Sequence, residues 1–155
     1  MRNLILAIFI ELSSFSAQNE LSDVRGRFAA AVDDRNLLRS FVASTDRSNM
    51  PEAAGYRALA VLMLAEESFN PLAKMRYFIM GRDSLEALIS RDPMNAELRL
   101  MRLSVQRKVP LVLGYSSDAK SDIVFLRACF PTLTDKGLKA LIAGYFLDQN
   151  IHLKS

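Results

Sequence analysis

The chain has 155 residues, half of them hydrophobic, with six Gly, five Pro and a net charge of +3 from 20 Lys and Arg against 17 Asp and Glu. That length holds one domain with a real core, and the scarcity of Gly and Pro excludes disordered and collagen-like classes. Basic and acidic residues interleave along the whole chain, which argues against a nucleic-acid binder, because such proteins gather positive charge on one face.

The N-terminus reads as an export signal. Met1-Arg2-Asn3 is a short positive start, Leu4 to Ile10 is continuously apolar, and Ser13-Ser14-Phe15-Ser16-Ala17-Gln18 supplies the small residues an export peptidase accepts. Residues 1–17 are therefore expected to be a signal peptide cut after Ser16 or Ala17. Residues 18–155 would form a single domain exported to the periplasm or cell envelope. Glu11 interrupts the apolar stretch, and the alternative is the amphipathic first helix of a cytoplasmic protein. No apolar run approaches the roughly 20 residues of a membrane span.

Apolar residues then recur at helical rather than strand spacing, so the fold class is all-α. Glu20 to Asp34 carries Leu21, Val24, Phe28, Ala31 and Val32 on one side. Asn36 to Ala43 turns Leu37, Leu38, Phe41 and Val42 inward. Asn49 before Pro51 and Glu52 resembles a capped start, for a helix of about 51 to 67 that is apolar nearly all round. Its small residues Ala53, Ala54, Gly55, Ala58 and Ala60 permit a close neighbour. Asn70-Pro71 repeats the start signal for a helix to Arg91, and the two make an antiparallel hairpin.

Pro93 disfavours helix at Asp92, and Asn95 can cap a new helix beyond it. In that helix Ala96, Leu100 and Leu103 lie opposite Leu98, Met101, Val105 and Val109, the signature of a helix sandwiched between layers. Its polar residues form two stripes, Glu97, Ser104 and Lys108 on one edge and Arg99, Arg102 and Gln106 on the other. Pro110 ends it, and Leu111 to Tyr115 is expected to tuck against the core. Ser117 should cap a helix stopped by Pro131, and Thr134 or Asp135 should start a last helix with Leu138, Leu141, Ile142, Tyr145 and Phe146 on one stripe.

The junction Asp92-Pro93-Met94-Asn95-Ala96 resembles the boundary between successive tetratricopeptide repeats, with Leu85 suiting the large apolar position and Gly81 the small one. Leu88 stands where a small residue is expected, and Pro51 to Pro93 is longer than one standard repeat, so the pattern is degenerate. It covers roughly residues 50 to 130, and the chain is also similar to small exported helical proteins of unassigned function. The resemblance implies antiparallel helix hairpins stacked as a short TPR-like α-solenoid that binds a protein or peptide in a groove between helix pairs.

Chemistry-bearing motifs are missing. The single histidine, His152, lies three residues from the end, which suits neither a triad nor a metal site. Cys129 among Leu126, Ala128 and Phe130 reads as a small core residue and leaves no pair for an intramolecular disulfide. Consecutive carboxylates such as Asp33-Asp34 and Glu66-Glu67 point in different directions on a helix. No enzyme and no cofactor are expected.

The candidate binding residues are Arg99, Arg102 and Gln106, whose guanidinium forks suit carboxylates or phosphates, with Lys74, Arg76 and Tyr77 lining the same groove. Against this stands an internal role, with the arginines paired to Glu66, Glu67, Asp83 or Asp122 to fix the stacking. The alternative function is a small-molecule or lipid binder, or a weak hydrolase, with an internal pocket near Met63, Met75, Met80 and Met101. A structural subunit of an envelope assembly is a third reading.

Overall fold

Proline and capping residues cut the chain into short helices, as a computed structural model of the protein shows. The helices are α1 (Arg2–Ala31), α2 (Arg35–Thr45), α3 (Pro51–Glu66), α4 (Pro71–Arg91), α5 (Ala96–Gln106), α6 (Ala119–Cys129) and α7 (Lys136–Asp148). Single 3-10 turns occupy Leu111–Leu113 and Phe130–Thr132. The structure describes residues 2–46 and 48–153, with the helical path alone for 2–15, so within the expected export signal only the side chains of Ser16 and Ala17 are described. Among the described residues there is no strand, and no helix is long and apolar enough to cross a membrane.

The helix starts follow local chemistry. Asp34, Asn70, Asn95 and Asp135 each sit just before a helix with a side-chain oxygen accepting from its first free N–H groups. Two starts differ from expectation. Asn49 does not cap α3; Met50 is the boundary residue, and the Ser48 hydroxyl accepts the Met50 N–H. Helix α6 begins after Asp118, whose N–H is taken by the side chain of Gln106.

Helix α5 is the layer between two cores. Leu98 and Met101 join Leu38, Phe41, Tyr56 and Leu85 of α2, α3 and α4. Ala96, Leu100 and Leu103, on the opposite side, join Leu126, Ile142 and Phe146 of α6 and α7. Leu85, Leu98 and Leu103 are fully buried, each stabilising the fold by about 1.5–3 kcal/mol. A third cluster, Leu62, Ala65, Phe78, Val105 and Tyr115, closes the far end.

Two glycines permit these approaches. A methyl group on Gly81 would stand 2.6 Å from Leu62 Cγ and 2.8 Å from the Ala58 carbonyl oxygen, so α4 presses on the backbone of α3 there. On Gly55 it would meet the side-chain ends of Leu98 and Met101, each at 2.6 Å. Helix α5 touches both members of the α3–α4 hairpin and packs on α6, while α1 and α2 lie against α3.

The segment after α5 departs from expectation. The helix ends at Gln106, and Leu111 and Val112 are 82% and 90% exposed instead of tucked in. Only Tyr115 of that connector is buried. An apolar run next to a proline reads as core by composition, yet its side chains are placed by the turn that Pro110 and Gly114 impose. Gly114 takes a left-handed φ of 64°, which suits glycine.

Candidate functional site

The arginine stripe is spent inside the protein. Arg102 grips Asp122 with two parallel hydrogen bonds of 2.8 Å, from Nε to Oδ2 and from Nη2 to Oδ1. Its Nη1 donates to Glu86 at 3.0 Å, and the Tyr115 hydroxyl donates to the other Glu86 oxygen at 2.5 Å. Arg99 adds a bond to Asp122 at 3.1 Å, another to the Pro93 carbonyl at 2.6 Å, and stacks 4.2 Å over the Phe125 ring. Gln106 clamps Asp118, accepting its N–H and donating to its carboxylate.

Asp122 is fully buried, so the bidentate fork offsets a desolvation cost that no solvent relieves. The Asp122 carboxylate holds the Arg102 pKa above its ordinary value despite burial. Burial, with the bond to Glu86, pushes the Tyr115 phenol up as well. The Ser117 hydroxyl, then Gln106 and the arginines, hold Asp118 below the usual carboxylate range. These groups fasten α5 to α4 and α6. Of the four acids weighed as internal partners, Asp122 is the one used; Glu67 faces Arg35 and Asp83 faces Arg82.

A second buried cluster pins the other edge of α5. Arg25 donates to both oxygens of Glu97, at 2.8 and 2.6 Å, and to Asp135 at 2.8 Å, while the Tyr56 hydroxyl donates to Glu97 at 2.6 Å. Burial, then the Glu97 charge, raises the Tyr56 phenol, and Arg25 lowers Asp135. Sequence reading missed this cluster. One signal was present, because an acid on an edge of a sandwiched helix needs a cationic partner, but nothing local names Arg25.

The six candidate residues do not share a groove. Arg99, Arg102 and Gln106 face α6, Arg76 is exposed, and Tyr77 is half-buried against the third core cluster. Lys74 alone lines an opening. It does so with Ser104 and Lys108, from the opposite polar stripe of α5.

That opening is a cleft of about 510 Å³ between α1, α3, α4 and the end of α5. Its wall is mostly apolar, with Phe28, Leu59, Leu62, Phe78, Val105 and Leu113 as the large side chains. Met63 and Met75 line it as well, whereas Met80 is exposed and Met101 packs on Gly55. Three charged residues border it, Lys74, Lys108 and Glu66, and no ion pair engages any of them among the described residues. The volume and the ratio of apolar wall to a few polar groups match those of small-molecule sites. No cluster of His, Cys, Asp or Glu among the described residues fits a metal ion.

No protein-family model matches the chain, nor does any curated protein or solved structure.

Proposed function

We propose that the protein is a helical binding module whose cleft takes a small amphipathic acid, a molecule with an apolar body and an anionic head. The observation that carries this reading is the apolar cleft of about 510 Å³ bordered by two lysines that make no ion pair among the described residues. An apolar body would fill the space between Leu62, Phe78 and Val105. The head would lie between Lys74 and Lys108, where an ammonium is a mobile point charge rather than a fixed fork.

This favours the ligand-pocket reading over an arginine-anchored groove, since the arginines already have partners. A bound peptide helix is the second reading, supported by Leu72, Met75 and Ile79, which are exposed at helical spacing along α4. The proposal includes a short TPR-like stack, supported by α5 lying against both α3 and α4 as a following repeat would. It also retains export, on the sequence of residues 1–17, and a binding role without catalysis.

The test is titration with a fluorescent long-chain carboxylic acid, against the alcohol of equal length. The acid should bind more tightly than the alcohol. Changing both Lys74 and Lys108 to Glu should weaken it about tenfold, equivalent to about 1.4 kcal/mol. Ser104→Trp, which fills the cleft from its wall, should abolish uptake while the helical circular dichroism is kept. Equal binding by Ser104→Trp, or no uptake by the parent protein, would overturn the proposal.

A further inference from the structure

We infer that the mouth of the cleft docks on an anionic lipid bilayer. The two lips of the cleft are short stretches far apart in the chain, residues 69–76 and 107–113. Each contributes residues to the wall, Pro71, Lys74 and Met75 from the first and Lys108, Val109, Pro110 and Leu113 from the second. Between and beside those wall residues stand side chains that the fold leaves in water. Phe69 is 100% exposed and Leu72 77% on the first lip, and Leu111 is 82% and Val112 90% on the second.

Single exposed apolar residues are ordinary, but here two large ones stand on each lip of one opening. The charges decide what covers them. The first lip carries Lys74 and Arg76 and the second Lys108, while Arg107 turns away to α7; neither lip contains an acid. Lys74, Arg76 and Lys108 have no ion pair among the described residues. Apolar tips interspersed with cations match the boundary between acyl chains and anionic headgroups, and Glu66, the acid that borders the cleft, lies on its wall outside the residues of both lips. Neither component anchors firmly alone, and the two together do. A protein partner with an acidic surface would satisfy the cations but leave four apolar tips wanting a hydrophobic seat at two separate places.

The inference goes beyond the ligand reading, because it rests on the lips and holds whether or not the cleft is filled. If both are correct, the cleft opens towards the membrane, and an amphipathic acid passes between bilayer and protein without crossing bulk water.

The experiment is flotation of the full chain with vesicles of about one part phosphatidylserine to three parts phosphatidylcholine, against phosphatidylcholine alone. The protein should float with the anionic vesicles, hardly at all with the neutral ones, and less at high salt. Phe69→Asp with Leu111→Asp should abolish flotation with unchanged circular dichroism, since both side chains lie in solvent. Each lip cation changed to Ala should weaken vesicle binding by about fivefold. The double Asp variant should still take up the fluorescent acid from solution, and Ser104→Trp should still float, so the two proposals fail separately. The docking proposal is overturned if the parent stays down or floats equally on neutral vesicles. It is overturned equally if the double Asp variant floats like the parent, which would assign the attachment to another segment. A dimer in sedimentation velocity that the double Asp variant dissociates would assign the lips to a second copy instead.

Discussion

Arg102 shows how a single residue that looks like a ligand-binding group can be part of the scaffold. It is 7% exposed and donates to both oxygens of Asp122 and to Glu86, so truncation would strand a fully buried carboxylate. Arg102→Ala should therefore cost about 3–5 kcal/mol. Arg102→Met combined with Asp122→Leu should recover part of that loss, because the fully buried carboxylate is then gone, while Glu86 and Arg99, which each lose an ion partner, keep some contact with solvent. Urea denaturation of the three proteins measures both effects, and a double variant no better than the single one would contradict the explanation. The stripe was legible from the 100° periodicity of α5, and so was Asp122 as a possible partner. Glu86 and Tyr115 were not, because their approach depends on how α4 and the turn at Gly114 are packed.

At the scale of the element, helix boundaries come from residues adjacent in sequence, which explains why Pro51, Asn70-Pro71 and Asn95 mark true starts. The two faces of α5 follow from the same local rule. The glycines add a graded prediction. Gly81→Ala meets the Ala58 carbonyl oxygen, which cannot move aside, so overpacking of up to about 3 kcal/mol should exceed the roughly 1 kcal/mol gained in helix propensity. Gly55→Ala meets only the ends of Leu98 and Met101, which can turn away, and should cost less. Thermal midpoints of the two variants measure the order, and a less stable Gly55→Ala would reverse it. The cleft was legible only in fragments. Met63 and Met75 were indicated, but its wall draws on α1, α3, α4, α5 and the 3-10 turn after Pro110, and no periodicity within one helix reports on that assembly. The exposure of Leu111 and Val112 was not legible, since apolar composition does not state which side of a turn faces water.

On the scale of the whole molecule, the polar clusters give stability a definite dependence on pH. Arg25 holds folded Asp135 below its ordinary pKa of 3.8, so the folded state binds that proton less readily than the unfolded chain. The stabilisation is complete above about pH 4 and disappears as pH falls through the lower folded value. Asp118, also lowered, adds to the same acid limb. Asp135→Asn keeps an effective helix cap but removes the charge. It should lower the thermal midpoint at neutral pH and make its decline below about pH 4 shallower. An acid limb of unchanged steepness would mean that Asp135 is not the group being titrated.

The Arg25 cluster also sets an order of events on the ribosome. Its partners lie 72 and 110 residues further along, so α1 leaves the exit tunnel with a guanidinium whose acids have yet to be made. The hydrogen bonds that tie α1 to α5 and to the start of α7 therefore form only after most of the chain has been made, and until then α1 is held by its apolar contacts with α2 and α3.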